Sequence, residues 1–559
     1  MEKIWLAGYP AGIPHEIDAA AGGTLVDVLE RAFQQHRRLP AFQCLGKQIS
    51  YQDLDHGSRA VAAWLSARGL GVGKRVALMS PNVLSYPVVL AGILRAGCTL
   101  VSINPLYTPR ELEHQLKDSG AEAIFIFENF AATLDAVNCP QVQHVVVTSM
   151  GDLLGFPKGA IVNFVVRRVK KLVPPWRLAG HVRLASVLAQ GAALPWQRVQ
   201  PSRDDVAMLQ YTGGTTGVSK GAMLLHRNIV ANVLQIEAWI RIELPETEHP
   251  QVVCALPLYH IFALTFCGLV GLRLGACNLL IPNPRDLPAF IKTLRSFRFS
   301  IFPGVNTLFN ALLHQPAFAT LDFSSLRMAI GGGMAVQSAV AARWQEITGR
   351  PIIEGYGLSE TSPVACCGPA NRKAYSGTIG LPVPSTEVSI RDDEGVEVPL
   401  GTPGEICIRG PQVMAGYWQR PADTQAVMTA DGYFRSGDIG VMDAHGDTRI
   451  IDRKKDMILV SGFNVYPAEV EEVVTQHPGV LECVAVGVPD EHSGELVKVV
   501  VVRSDPALSA QDVRDWCKTR LTGYKRPHQV EFRTELPKSN VGKVLRRVVR
   551  EESRARSAA

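Results

Sequence analysis

The sequence has no C-x-x-C pair; its eleven cysteines are scattered and only Cys366 and Cys367 are adjacent. That spacing argues against a zinc site or a disulfide framework and fits a reducing cytoplasm. Nor is there a strong excess of one charge: the net formal charge is +5 over 559 residues, which gives no case for a nucleic-acid partner. Long uninterrupted apolar runs are missing too. The most apolar long window, 264–281, is broken by Arg273, Gly268, Gly271 and Gly275, so it reads as a buried helix followed by a strand rather than a membrane span. The opening Met1-Glu-Lys-Ile-Trp-Leu has no basic segment followed by a long apolar one, so no secretory leader is expected. No internal repeat or low-complexity tract stands out.

What is present is an ordinary globular composition, 47% hydrophobic and 19% charged, on a chain too long for a single core. From Lys74 to Thr148 short apolar runs alternate with helical patterns. Thr108-Pro-Arg-Glu111 carries the signals of a helix start, with Thr108 as cap, Pro109 in the first turn and Glu111 reaching back. The alternation returns after residue 205, with strand runs near 206–211, 252–256, 277–281, 300–303, 327–330 and 351–354. Strands separated by helices of this length imply parallel sheets covered on both faces. From 377 the texture changes to short runs punctuated by Gly and Pro, a small β-rich subdomain. The expectation is therefore an α/β protein: a large N-terminal domain over 1–451, its β-rich part about 377–450, a hinge at 452–456, and a small mobile α+β domain over 457–559.

Residues 155–178 interrupt the pattern. Val162, Val165, Val169 and Leu172 would share one helical face, beside Arg167, Arg168, Lys170 and Lys171 and ahead of Trp176. A basic amphipathic helix with an aromatic edge can lie on an anionic membrane surface; alone, it is equally a peripheral helix with solvated charges.

One stretch organises the rest: Tyr211-Thr-Gly-Gly-Thr-Thr-Gly-Val-Ser-Lys-Gly221, after the apolar run from Val206 and ahead of a helical pattern opening near His226. Read as strand, glycine loop and helix, it can aim backbone N–H groups, hydroxyls and an ammonium at phosphate oxygens. Walker A spacing cannot be read through it. Four further blocks follow: Tyr356-Gly-Leu-Ser-Glu360, Asp431-Gly-Tyr-Phe-Arg-Ser-Gly-Asp438, Ile451-Asp-Arg-Lys-Lys-Asp456 and Pro537-Lys-Ser-Asn-Val-Gly-Lys543. Singly, each could be a solvated turn. Together and in this order they resemble the adenylate-forming superfamily of acyl-CoA synthetases, luciferases and adenylation domains, most of all its bacterial long-chain fatty-acid–CoA ligases.

The resemblance implies a ligase that turns a carboxylate into an acyl-adenylate with ATP and Mg²⁺, then passes the acyl group to coenzyme A. Thr212, Gly213, Gly214, Thr215, Thr216 and Lys220 would hold the phosphates. Gly331, Gly332, Gly333, Glu354, Gly355, Tyr356, Gly357 and Ser359 would surround the nucleotide, with Tyr356 stacked on adenine; Ser359 stands where the family usually has Thr. Asp438, Ile450 and Arg453 would meet the ribose or α-phosphate. Glu360, with Thr215, would bind the metal, and His260 would sit beside the substrate carboxylate. Lys543 would be the catalytic lysine of adenylation. Lys455 stands at the family's hinge position, and Ser461, Gly462 and Phe463 would serve thioester formation. Phe262, Leu264, Val305, Leu308 and Phe309 could line an acyl tunnel, or simply belong to a core. Between Lys518 and Arg550 ten basic residues face two acids, a strip that could attract coenzyme A or remain a solvated surface. Peripheral contact with the inner face of the membrane and a homodimer complete the expectations. The alternatives are a medium-chain or aryl-acid–CoA ligase, a fatty acyl-AMP ligase that does not use coenzyme A, and a non-catalytic binding relative.

Overall fold

The structure is a computed structural model and describes residues 3–212, 219–245, 249–461, 463–490, 493–539 and 542–557. The expected α/β architecture is found, with the parallel strands divided between two large sheets. The first has seven strands. It runs from the short Val182–Arg183 edge through His144–Thr148, Ala123–Phe127, Arg75–Met79 and Thr99–Ile103 to Val206–Thr212 and Lys220–Leu225. All its neighbours are parallel except the last pair. The second has nine strands, its parallel centre built from Cys277–Leu280, Gln251–Cys254, Ile301–Gly304, Met328–Gly332 and Ile352–Gly357. A further strand pair, Pro40–Cys44 and Lys47–Ser50, joins this second sheet beside Cys277–Leu280. Residues from both sheets and the helices between them, among them Phe125, Met208, Val252 and Ile330, share the largest apolar cluster.

The helix starting at Pro109 begins as its sequence dictates. Thr108 accepts a hydrogen bond from the Glu111 N–H while the Glu111 carboxylate takes the Thr108 N–H at 2.8 Å. Two unpaired N–H groups of the first turn are thus satisfied.

The third sheet is antiparallel and four-stranded: Glu387–Arg391, Gly404–Arg409, Phe434–Met442 and Thr448–Arg453. A fourth, five-stranded sheet follows directly, built on the long pair Val480–Asp490 and Gly494–Arg503. It is backed by the helices Pro467–Thr475, Ala510–Lys518 and Arg546–Ser557 and has its own apolar cluster around Val470, Val499 and Val513.

Two local readings are corrected. The strand, loop and helix reading omits one strand between the glycine stretch and the helix expected near His226. Lys220–Leu225 is a strand that pairs antiparallel with Val206–Thr212, with Thr212 opposite Lys220, and the helix opens at His226. Six residues containing Ala222, Leu224 and Leu225 suit either state, and burial against the sheet decides for the strand. Second, the helix of 158–164 continues as a π-helix over Val165–Val169. The wider turn shifts the face: Val166 is buried, Val162 and Val165 are half-buried, and Val169 and Leu172 point to solvent.

Candidate active site

A cleft of about 2860 Å³ opens where the carboxyl ends of both large sheets face the four-stranded sheet and the last hundred residues. The glycine stretch and the Tyr356–Glu360 block do not share one sheet edge. They belong to different sheets and meet across this cleft.

On one wall, Thr212 and Lys220 close the hairpin. Gly213, Gly214, Thr215 and Thr216 lie outside the described residues. Lys220 Nζ pairs with Asp423 Oδ1 at 2.7 Å and lies 5.5 Å from the Tyr417 ring. The next pair of the ladder, Tyr211 opposite Gly221, is also held. The Tyr211 hydroxyl donates to Asp118 Oδ2 at 2.7 Å, and Arg420 pairs with Asp118 Oδ1 at 2.7 Å. Asp423 and Arg420 both come from the short segment that starts at Tyr417, whereas Asp118 belongs to the helix Pro109–Ser119.

The facing wall is the end of Ile352–Gly357 and the turn after it. Glu354, Gly355, Tyr356, Gly357, Ser359 and Glu360 all line the cleft. Gly332 and Gly333 do as well, but Gly331 does not: a Cβ there would lie 2.6 Å from Val336 and 2.9 Å from Ile352. Its role is packing between strands. Glu360 is 7% exposed, and its Oε1 accepts the Tyr417 hydroxyl at 2.7 Å. Burial raises its pKa, and no Lys or Arg among the described residues forms an ion pair with it. A desolvated carboxylate without a paired cation suits a hard divalent ion. Burial likewise pushes Glu354 up to about 7. Its Oε1 accepts the Val336 N–H at 3.1 Å while Oε2 has no partner.

Asp438 and Arg453 face each other across the Phe434–Met442 and Thr448–Arg453 strands. Asp438, 5% exposed, accepts the Tyr356 hydroxyl at 2.8 Å and pairs with Arg453 at 3.1 Å. This bond ties the second sheet to the third, and Ile450 and Lys455 line the cleft beside it.

Lys543 reaches the same cleft from the far end of the chain. Gly542 takes φ +80°, and its carbonyl accepts the Thr307 hydroxyl at 3.0 Å. A Cβ there would stand 2.7 Å from that oxygen, so the position admits only glycine. Burial, then the charge of Arg453, brings the Lys543 ammonium down to about 8. His260 also lines the cleft, and burial, then Lys543, holds its imidazole down at about 4. It is a neutral ring at pH 7.

Some expected residues are elsewhere. Phe262 and Val305 line the cleft; Leu264, Leu308 and Phe309 do not. Leu264 is buried in a π-helix, and Phe309 packs edge-on against Trp344 in a separate core. Ser461 and Phe463 also lie away from the cleft, Phe463 exposed and stacked on Tyr524 at 4.7 Å; Gly462 is not among the described residues. The basic strip between Lys518 and Arg550 is largely neutralised by ion pairs of Lys525, Arg533, Lys538, Arg546 and Arg550. Residues missed from sequence are Asp118, Thr307, Tyr417, Asp423 and Arg546. Arg546 bonds Asp452 at 3.2 Å, Asp456 at 3.2 Å and Glu471 at 2.9 Å. The only advance signal was the run Gly416-Tyr-Trp-Gln-Arg-Pro421, whose glycine and proline mark a turn.

Comparison with known proteins places these features in context. Residues 29–418 match the profile of the AMP-binding enzyme family, and 469–543 that of the AMP-binding enzyme C-terminal domain. The chain is 53% identical over 562 residues to the long-chain-fatty-acid–CoA ligase of Escherichia coli O6:H1, covering 100% of this chain and 99% of the relative. Among solved structures, ATP-bound MatB from Rhodopseudomonas palustris is 29% identical, with 94% of this chain and 98% of that one covered and a TM-score of 0.81. Apo MatB, 28% identical with the same coverage, gives 0.72. The arrangement found here is nearer the ATP-bound form.

Proposed function

The chain belongs to the AMP-binding enzyme family, and from that premise we infer that it is an AMP-forming ligase joining a long-chain fatty acid to coenzyme A. The observation that carries the mechanism is the presence of Lys543 in one cleft with Glu360, Asp438 and Lys220.

In the first half-reaction a carboxylate oxygen of the fatty acid bonds to the α-phosphorus of ATP, and the bond to pyrophosphate breaks. Two anions must be brought together, so placement and charge neutralisation are the protein's main contributions. Lys220 exchanges Asp423 for the β- and γ-phosphates, with Thr212, Gly213, Gly214, Thr215 and Thr216 beside it. Lys543 pairs with the carboxylate and the bridging oxygen. His260, being neutral, can orient the carboxylate by hydrogen bonding without pairing away its charge. Asp438 keeps lone pairs beyond those used by Tyr356 and Arg453, and these accept the ribose hydroxyls. Glu360 and Thr215 would hold Mg²⁺, which supplies further neutralisation of the polyphosphate.

In the second half-reaction the coenzyme A thiol attacks the acyl carbonyl and AMP leaves. We assign residues 1–451 and 457–559 to two domains turning about 452–456. Rotation withdraws Lys543 and brings Ser461, Gly462 and Phe463 to the acyl-adenylate, so one site serves both steps. A seat on the inner membrane face would bring the enzyme to its substrate, and residues 155–178 support that location.

The test is pyrophosphate release across fatty acids of graded length, with and without coenzyme A. Activity with long chains and turnover that requires coenzyme A are expected. A preference for acetate or benzoate, or turnover independent of coenzyme A, would overturn the reading.

A further inference from the structure

We propose that residues 156–172 are a docking surface that inserts into the headgroup region of an anionic lipid bilayer. Five large apolar side chains stand in solvent within these seventeen residues: Phe156 at 92% exposure, Ile161 at 58%, Phe164 at 60%, Val169 at 65% and Leu172 at 52%. Leu45 joins them from a neighbouring hairpin, since Lys158 Nζ donates to its carbonyl. Such clustering departs from the scattered single residues of an ordinary surface. No helix among the described residues is long and apolar enough to cross a membrane, so the segment would lie on a bilayer rather than span it.

The structure also divides the basic residues into two groups with different duties. Glu128, 1% exposed at its side chain, takes Arg167 at 2.7 Å and Arg183 at 3.1 Å. Arg167 thus ties the segment to Glu128, which the edge-strand Arg183 also pairs. Trp176 is likewise engaged, edge-on to His181 at 4.8 Å and under Arg183. Arg168, Lys170 and Lys171 are exposed and form no ion pair among the described residues. Val166 is the buried keel between the groups.

Charge selects the occupant. From residue 153 to 203 the chain has no Asp or Glu and nine Lys or Arg. A second copy docking by a two-fold axis would set this face against itself and bring like charges together. A bilayer containing acidic lipids offers the opposite charge and an apolar layer at the depth the side chains reach. The use of such a surface rests on the ligase reading, because a long-chain fatty acid partitions into membranes; the docking itself does not.

The full-length protein should be sedimented with vesicles of phosphatidylcholine and phosphatidylglycerol in equal parts, and with phosphatidylcholine alone. Binding to the mixed vesicles, weakened by salt, is expected. The triple variant Phe156→Ser, Ile161→Ser, Phe164→Ser should bind about tenfold more weakly or worse. The variant Arg168→Glu, Lys170→Glu, Lys171→Glu should lose the preference for the acidic lipid. Pyrophosphate release with a medium-chain acid dissolved as monomer should be unchanged in both, which certifies folding. Wild-type protein left in the supernatant, or variants that pellet as well as wild type, would overturn the proposal. So would a dimer in sedimentation equilibrium that the apolar variant dissociates. Failure to release pyrophosphate with any fatty acid, alongside vesicle binding lost in the variants, would sink the ligase reading and leave the docking surface standing.

Discussion

Lys220 and Asp423 form an ion pair 2.7 Å long at the mouth of the phosphate hairpin, each side chain over a third exposed. In the proposed reaction their partnership is the resting position from which the Lys220 cation would turn to polyphosphate. Exposed pairs of this kind are worth about 0–1 kcal/mol, so the lysine is held but not trapped. Asp423→Asn should lower KM for ATP by about twofold to fivefold with little change in kcat, the most such a pair can return. Lys220→Ala should raise the same KM. Steady-state pyrophosphate release at varied ATP reads both, and an Asn variant with unaltered KM would show that the pair does not compete with nucleotide.

Lys543 provides a prediction with two arms. Lys543→Ala should abolish adenylation while leaving thioester formation from supplied acyl-AMP largely intact. Equal loss in both steps would contradict the division of labour. The second arm follows from its pKa, brought down to about 8. The useful ammonium is fully present below that value and is lost as pH rises through it, so kcat/KM for adenylation should fall above about pH 8. Lys543→Arg, whose charge persists at all accessible pH, should lose this alkaline limb even if its rate is lower.

Arg546 spans the proposed pivot. Its bonds to Asp456 and Glu471 lie beyond residue 455, whereas that to Asp452 lies before it. Rotation about Lys455 would therefore break one bond and keep the others. Asp452→Asn should slow adenylation several-fold and leave thioesterification untouched, measured as separate half-reactions. Arg546→Met leaves these carboxylates without their shared partner and should cost about 3–5 kcal/mol of stability in the C-terminal unit, read as a fall in Tm.

Tyr417 steadies Glu360 by the 2.7 Å hydrogen bond from its hydroxyl. Tyr417→Phe should raise the Mg²⁺ concentration for half-maximal activity several-fold and leave the fold intact. Glu360→Gln should lose activity at all Mg²⁺ concentrations. A Mg²⁺ titration of the pyrophosphate burst checks both.

Local chemistry was legible wherever a few neighbouring residues decide the outcome. The Thr108 cap, the alternating strands and the positions of Glu360, Asp438 and Lys543 could all be read from the sequence. Pairings made by the tertiary fold could not. Asp118 and Asp423 are ordinary acids until Tyr211, Arg420 and Lys220 are brought to them. Gly331 resembles its two neighbours in sequence, yet the side chains of Val336 and Ile352 separate its duty from theirs. The face of residues 158–172 was misread because a π-turn takes more residues than the 3.6 of an α-helix. The strand Lys220–Leu225 was missed because its four apolar residues, Ala222 to Leu225, carry no period of their own.

The ladder that sets Thr212 opposite Lys220 bears on the entropy of nucleotide capture. Thr212 and Lys220 are already held together by cross-strand pairing, so a triphosphate bound between them as proposed would incur no loop-closure term. Substitutions between Thr212 and Lys220 would thus retune how firmly ATP is grasped while the sheet beneath goes undisturbed.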